Sequence, residues 1–245
     1  MSIMCVAKLT DTTCVSGSGD RTLKLWNVEN NHAIRTFQGH TDLVQCVAKL
    51  TDTTFVSGSH DETLKLWNLE INHAIRTHEG LTLYVLCVAK LTDTMFVSGS
   101  SDKTLKLWNV EINDAIRTFH RHIFPFDVVC VAKLTDTTFV SGSEDRTLKL
   151  WNIENNDSVR TFQGHTNGVN DSVRTFQGHT NGVQCVAKLT DTTFVSGSKD
   201  NTLKLWNIVN NHAIRTYEGH TLRIVLCREI DRHYVCKRTE VQMRR

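Results

Sequence analysis

Short apolar runs rich in Val, Leu, Phe and Thr alternate along this chain with clusters of turn-forming residues, chiefly Thr-Asp-Thr, Ser-Gly-Ser-x-Asp and Asn-Asn. Runs of that length between such clusters read as β-strands. Around Trp67 there are four, Leu43 to Lys49, Thr54 to Ser57, Thr63 to Trp67 and Ala74 to Thr77. Each connection is short enough to join antiparallel neighbours, so the pattern predicts a four-stranded meander. A lone meander of this size cannot bury both of its faces. Copies of it must therefore stack face to face.

Copies are present. The stretch from Cys46 to Asn68 recurs nearly unchanged from Cys5, Cys87, Cys130 and Cys185, and its tryptophan recurs as Trp26, Trp67, Trp108, Trp151 and Trp206. The spacings between these tryptophans are 41, 41, 43 and 55 residues. The 43 reflects a two-residue insertion around Phe124-Pro125-Phe126, and the 55 an unchanged duplication of residues 156–169 as 170–183. The expected organisation is five units over residues 1–218, at about 3–38, 43–79, 83–120, 126–163 and 182–218, with 170–183 as an insertion and 219–245 as a degenerate sixth repeat. Radial stacking of such units gives a β-propeller, an all-β fold.

Composition narrows the function classes. The 245 residues carry 28 Lys and Arg against 26 Asp and Glu, a net charge of +2, with 40% apolar residues. A chain of this length can bury a stable core without disulfide staples. Near-neutral charge with no basic run argues against nucleic-acid binding, and no stretch approaches the roughly 18 consecutive apolar residues of a membrane helix. The opening Met1-Ser2-Ile3-Met4-Cys5 lacks the basic end and apolar stretch of a secretory signal. A reducing cytoplasmic setting, or the nucleus, is expected.

Gly39-His40, Ser57-Gly58-Ser59, Asp61 and Leu66-Trp67-Asn68, at a 41-residue period, resemble the WD40 repeat family, and the likeness covers nearly the whole chain. Each unit ends Trp-Asn where the family usually has Trp-Asp, which keeps a short turn-forming side chain. The resemblance implies propeller blades, each with a structural hydrogen-bond relay of loop His, strand Ser, turn Asp and strand Trp. These would be His40, Ser57, Asp61 and Trp67 in the second unit, and His179, Ser196, Asp200 and Trp206 in the fifth. Each group is costly to bury alone, and each satisfies the next. The residues leave open which Ser of a Ser-Gly-Ser pair takes part. Leu81 stands where the third unit's His is expected, the fourth unit offers only a displaced His122, and the first unit begins too late to contain the loop. Those three blades are expected to be weaker.

Ser, His and Asp also make a hydrolase triad. A catalytic set normally occurs once, whereas this one recurs with the blades and includes a Trp that acyl transfer does not need. No catalytic residue is expected, and an enzyme is only a remote alternative. Five of the eight cysteines, Cys5, Cys46, Cys87, Cys130 and Cys185, hold one repeat position where a small apolar side chain suits a crowded inner strand. There is no Cys-x-x-Cys, and copies of one position on separate blades should not reach the ~4.4–6.8 Å Cα separation of a disulfide. Buried thiols are expected, with no metal and no cofactor.

Because the units are near-copies, the chain aligns with itself. From Cys to Trp-Asn the copies differ broadly only beside the turn Asp: Gly19 and Arg21, His60 and Glu62, Ser101 and Lys103, Glu144 and Arg146, Lys199 and Asn201. Cys14 and Met95 are the other exceptions. This turn and the Gly-His loop would share a propeller face, and in WD40 proteins that face commonly receives partners. The resemblance thus implies a non-enzymatic scaffold for protein or peptide partners. The expected site is a mixed-charge ring of His60, Glu62, Ser101, Lys103, Glu144, Arg146, Lys199 and Asn201, with Tyr84, Phe124 and Phe126 as aromatic anchors. The competing reading is neutral variation, since turn tips tolerate change whatever the function.

From Leu226 to Thr239 the repeat breaks. Read one base forward, synonymous codons for Leu226 to Arg238 spell Cys-Val-Ala-Lys-Leu-Thr-Asp-Thr-Thr-Phe-Val-Ser-Gly, so the tail reads as a sixth unit out of frame. An arc of five blades, unlike a closed ring, exposes an apolar face at each end and is expected to self-associate through them. The alternative function class is accordingly a truncated repeat fragment without a retained partner.

Overall fold

The apolar runs become strands, and among the described residues there is no helix. The computed structural model describes residues 2–30, 32–120, 122–123, 125–154, 173–210, 212–222, 224–230 and 233–238. The first compact unit, Met1–His120, holds three antiparallel meanders. They are β1 (Ile3–Lys8), β2 (Thr13–Ser18), β3 (Leu23–Asn27) and β4 (Ala33–Phe37), then β5 (Val44–Lys49), β6 (Thr54–Ser59), β7 (Leu64–Asn68) and β8 (Ala74–His78), then β9 (Val85–Lys90), β10 (Met95–Ser100), β11 (Leu105–Asn109) and β12 (Ala115–Phe119). The second unit, Arg121–Arg245, holds β13 (Val128–Lys133), β14 (Thr138–Ser143), β15 (Leu148–Asn152) and β16 (Val173–Phe176), then β17 (Val183–Lys188), β18 (Thr193–Ser198), β19 (Leu203–Asn207) and β20 (Arg215–Tyr217). A two-stranded hairpin follows, β21 (Ile224–Ile230) with β22 (His233–Arg238). Each of the five four-stranded sheets is an antiparallel meander in chain order.

The turns close through their own side chains. In Thr-Asp-Thr-Thr, Thr51 Oγ1 accepts the N–H groups of Thr53 and Thr54 at 3.3 and 3.1 Å. After each tryptophan the Asn accepts the N–H two residues on, as Asn68 does from Glu70 at 2.7 Å, so Asn performs the turn-forming task expected of Asp here. Beside the first turn, Lys49 reaches both Asp52 and the Leu9 carbonyl of the preceding blade. Lys90 does so with Asp93 and Leu50, and Lys188 with Asp191 and Leu134. This end of the blades is thereby lashed together by residues that do not vary between copies.

The front of one blade packs on the back of the next. Cys5, Leu9, Val15, Leu23, Leu25 and Phe37 of the first meet Val44, Phe55 and Trp67 of the second. Cys46, Leu50, Val56, Leu64 and Leu66 of the second meet Val85, Phe96 and Trp108 of the third. In the other unit, Cys130, Leu134, Val140, Leu148 and Phe176 meet Val183, Phe194 and Trp206. Each large apolar side chain so buried contributes about 1.5–3 kcal/mol. The five repeat cysteines lie inside, and burial pushes the Cys87 thiol up to about 12, which makes it a poor nucleophile.

The closest approach is made at the glycine of Ser-Gly-Ser. A Cβ on Gly58 would lie 2.5 Å from Val85 Cγ1 and 2.7 Å from Cys46 Sγ, and Gly17, Gly142 and Gly197 meet Val44, Val183 and Ile224 in the same way. Only glycine lets the next blade's first strand rest against this backbone. Ile224 takes the valine's place, so β21 begins as the first strand of a sixth unit would. The tail lacks the Thr-Asp-Thr-Thr turn, and the hairpin closes more tightly, with Ile230 opposite His233.

One boundary differs from the sequence expectation. The fourth blade does not end within 126–163 with 170–183 as an insertion. Its fourth strand is β16, from the second copy of the duplication, paired from Leu148↔Phe176 to Trp151↔Val173. The two copies are identical, so strand propensity cannot choose between them. The second copy leads into β17 through six residues, the same length that joins β4 to β5. The first copy, 156–169, lies outside the described residues.

Gly58→Ala is expected to lower stability by about 1–3 kcal/mol through overpacking. Gly19→Ala, whose Cβ would meet only the Ser2 carbonyl at 3.7 Å, should change it by less than about 0.5 kcal/mol. Urea unfolding of the two variants checks this, and Val85→Ala combined with Gly58→Ala should recover part of the loss.

Candidate functional site

The turn between the second and third strands of each blade is a three-residue loop. In the second blade, Ser59 N–H donates to the Thr63 carbonyl at 3.3 Å and Asp61 N–H to Ser59 Oγ at 3.0 Å. A type I turn of this kind ends on a left-handed residue. That residue is the variable one: Arg21, Glu62, Lys103, Arg146 and Asn201 have φ between 67° and 72°.

Into this turn reaches the connection between β4 and β5. Gly39 has φ of 155°, and a Cβ there would come within 3.2 Å of Trp67, so glycine precedes the histidine. His40 Nε2 then lies 2.7 Å from Ser57 Oγ, and Nδ1 lies 2.7 Å from Asp61 Oδ2. Trp67 Nε1 donates to Ser57 Oγ at 2.8 Å. An ionised carboxylate can only accept, so Nδ1–H donates to Asp61, and the remaining lone pair on Nε2 accepts from the serine hydroxyl. Asp61 also accepts from Thr41 N–H at 2.9 Å and from Thr63 N–H and Oγ1 at 3.0 and 2.7 Å. The fifth blade repeats the chain with His179, Ser196, Asp200 and Trp206, at 2.7 to 2.8 Å throughout.

The first serine of each pair therefore takes part. The second, Ser59, donates to the Asp42 carbonyl at 3.0 Å and holds the turn. His122 corrects the expectation of a weaker fourth blade. It contacts Asp145 and Ser141 at 2.8 and 2.7 Å, and Trp151 Nε1 donates to Ser141 at 2.8 Å. The two extra residues lie after the histidine and lengthen only its path to β13. In the third blade Leu81 is buried at the histidine's place, and the chain stops where Trp108 Nε1 donates to Ser98 Oγ at 2.9 Å.

Burial alone would raise the Asp61 carboxyl, but the bonds from His40, Thr63 and Thr41 outweigh it and hold the group well below the usual range. The same balance brings Asp145 down to about 2 and lowers Asp200. Burial lowers His122 and His179, against the pull of their carboxylates. Two contributors went unread in the sequence. One is the threonine after the variable turn position, present in every unit as Thr22, Thr63, Thr104, Thr147 and Thr202. The other is His78, which stands where other blades have Phe37, Phe119 and Phe176.

The variable residues fall into local groups. His60 and Tyr84 stack across the junction of the second and third blades, with ring centroids 4.2 Å apart and planes 8° apart. Glu144 and Lys199 form an ion pair across the junction of the fourth and fifth, at 2.5 Å. Glu62, Arg146 and Phe126 are exposed, Ser101, Lys103 and Asn201 are half-buried, and Phe124 lies outside the described residues.

Stacked four-stranded meanders with a Trp-Ser-His-Asp relay define WD40-type blades. A family model described as WD domain, G-beta repeat matches residues 1–27, 31–68, 70–109, 113–152 and 170–207, well over half of the chain. The chain belongs to the WD40 repeat family. Its last matched segment starts in the second copy of the duplication, the copy that supplies β16. A search of curated proteins finds no match.

Ser57→Ala leaves both the Trp67 N–H and His40 Nε2 without a partner and should cost about 2–4 kcal/mol, whereas Ser98→Ala orphans only the Trp108 N–H and should cost about 1–2 kcal/mol. Equal losses in urea unfolding would contradict the relay. The pH dependence has a definite sign. His122 and His179 are lowered from 6.5, so the unfolded chain binds more protons; their contribution is complete above about pH 6.5 and is lost as pH falls through the depressed values. The aspartates are lowered from 3.8, so theirs is complete above about pH 4 and is lost on further acidification. Calorimetry should find a Tm that falls from about pH 6.5 downward and more steeply below about pH 4. A Tm that rises on acidification would contradict both shifts.

Proposed function

We propose that this protein is a non-enzymatic scaffold whose partners, proteins or peptides, bind the face carrying the Ser-Gly-Ser-x-Asp turns. WD40 repeats are in general protein-interaction scaffolds. The observation that carries the reading is the left-handed turn position. A residue other than glycine costs about 1–2 kcal/mol there, with asparagine the least penalised. Yet four of the five copies hold Arg, Glu, Lys and Arg, and only Asn201 is a residue suited to that conformation. Neutral variation alone would favour Gly and Asn, so the charged side chains are more simply explained by what they touch outside the blade. The opposite end of the blades is uniform, and its Lys and Asp residues are committed to lashing neighbours together.

A hydrolase reading has the geometry against it. The Ser57 residue and the His40 side chain are wholly buried, so no acyl group can reach the hydroxyl, and the same set occurs in three blades.

Glu62→Gly and Arg146→Gly should each raise stability by up to about 1 kcal/mol and weaken capture of the protein's cellular partners. Asp52→Asn and Asp136→Asn, at the other end of the blades, should leave capture unchanged. Capture that is indifferent to both glycine substitutions would overturn the reading.

A further inference from the structure

We infer that the junction of the second and third blades binds a basic side chain of a partner protein, arginine or lysine, on the His60–Tyr84 ring pair beside the carboxylates of Asp42 and Glu62. This inference rests on the turn face being the partner site and names the chemistry of one part of it.

At two junctions the residue before the turn Asp meets the residue before the next blade's first strand. At the junction of the fourth and fifth blades these are Glu144 and Gly182, where a Cβ on the glycine would lie 3.1 Å from Glu144 Cα. At the junction of the second and third they are His60 and Tyr84. The corresponding residues between the first and second blades are Gly19 and Leu43. Of these three junctions, only the middle one brings two rings together.

Asp42 lies near enough to act on the His60 ring, and Glu62 belongs to the same turn as His60. His60 N–H donates to the Leu43 carbonyl at 3.0 Å and Ser59 Oγ to the Asp42 carbonyl at 3.0 Å, which holds Asp42 beside the turn. Glu62 follows His60 by two residues in the same turn and is exposed. Among the described residues neither carboxylate is in an ion pair. Tyr84 is 45% exposed and its neighbour Leu83 40%. Burial lowers the His60 imidazole despite Asp42, which favours the uncharged form of that ring. An exposed, uncharged aromatic surface near carboxylates favours a guanidinium or ammonium group over an anion or an aliphatic chain.

The molecule carries an internal precedent. At the junction of the fourth and fifth blades the turn carboxylate of Glu144 takes an ammonium from Lys199 of the next blade. The residue equivalent to Lys199 in the third blade is Ser101, which brings no charge. Where the fifth blade supplies its own cation, the second and third offer rings and carboxylates to one from outside.

The test uses the full chain, a fluorescent peptide of alternating Gly and Arg, and a Gly-Glu peptide as control, read by anisotropy. The Gly-Arg peptide should bind and the Gly-Glu peptide should not. Tyr84→Ala should weaken binding by about ten-fold, Tyr84→Phe by no more than about two-fold, and Glu62→Gln by a few-fold. If Tyr84→Ala lowers the Tm, Glu62→Gln and Asp42→Asn decide, because both residues are exposed and hold no blade together. Binding unaffected by these changes, or lost on Glu144→Gln but not on Glu62→Gln, would overturn this placement while leaving the turn face as the partner site. Absence of Gly-Arg binding would overturn the basic-ligand inference alone if partner capture still responds to Glu62→Gly.

Discussion

The contact on which the rest depends is, within each unit, the seating of a first strand on the glycine of the blade before it. Val44 on Gly17, Val85 on Gly58, Val183 on Gly142 and Ile224 on Gly197 are one contact made four times. It brings the sheets near enough for Phe55, Phe96, Phe194, Trp67, Trp108 and Trp206 to be wholly buried. Every front must fit the following back, so a change of volume in one copy strains two blades rather than one. That requirement accounts for the near-identity of the stretch from Cys to Trp-Asn. Apart from Cys14 and Met95, variation within that stretch is confined to the turn positions, which stand clear of the packed faces.

The relay links this packing to the surface. Its tryptophan belongs to the core, its serine to the second strand, its aspartate to the turn and its histidine to the connection from the preceding blade. Four elements that sequence separates are thus fixed by a single chain of donors and acceptors, each buried group satisfied by the next. The third blade shows which part is dispensable. With Leu81 in the histidine's place the Trp108–Ser98 bond persists, so the core half stands alone, while Asp102 keeps the N–H and Oγ1 of Thr104 at 2.9 and 2.6 Å and has longer contacts to Thr82, at 3.4 and 3.5 Å.

Most of the fold was legible because its signals are local. Strands follow from apolar runs bounded by turn residues, and the Thr and Asn side chains that close the turns act within three residues of themselves. The features that escaped are contacts between distant positions. His60 and Tyr84 are 24 residues apart and meet only when two blades stack. His122 looked displaced when counted along the chain, yet the extra residues fall on the side of it that does not alter its reach to Ser141. The duplicated stretches offer two identical strands, and connection length rather than composition separates them. His78 was visible as a departure from Phe37, but its consequence was not. Its ring is fully buried against Phe96 and Trp108, with Nδ1 3.3 Å from the Asn113 carbonyl and, among the described residues, no partner for Nε2.

A turn that holds a charged residue at positive φ must be secured by something other than that residue. Here the security comes from beneath it. Asp61 gathers donors from Thr41, Thr63 and His40, and Ser59 ties the loop to the Asp42 carbonyl. None of these bonds uses the side chain at position 60 or 62, so those side chains can change without loosening the loop. Their backbone is held in place before anything binds, and binding to a preorganised loop forfeits less conformational entropy than binding to a mobile one. The same framework can therefore close one junction with its own Lys-Glu pair and furnish another with stacked rings. The uniform repeat beneath the turns is what allows the chemistry displayed on them to differ from blade to blade.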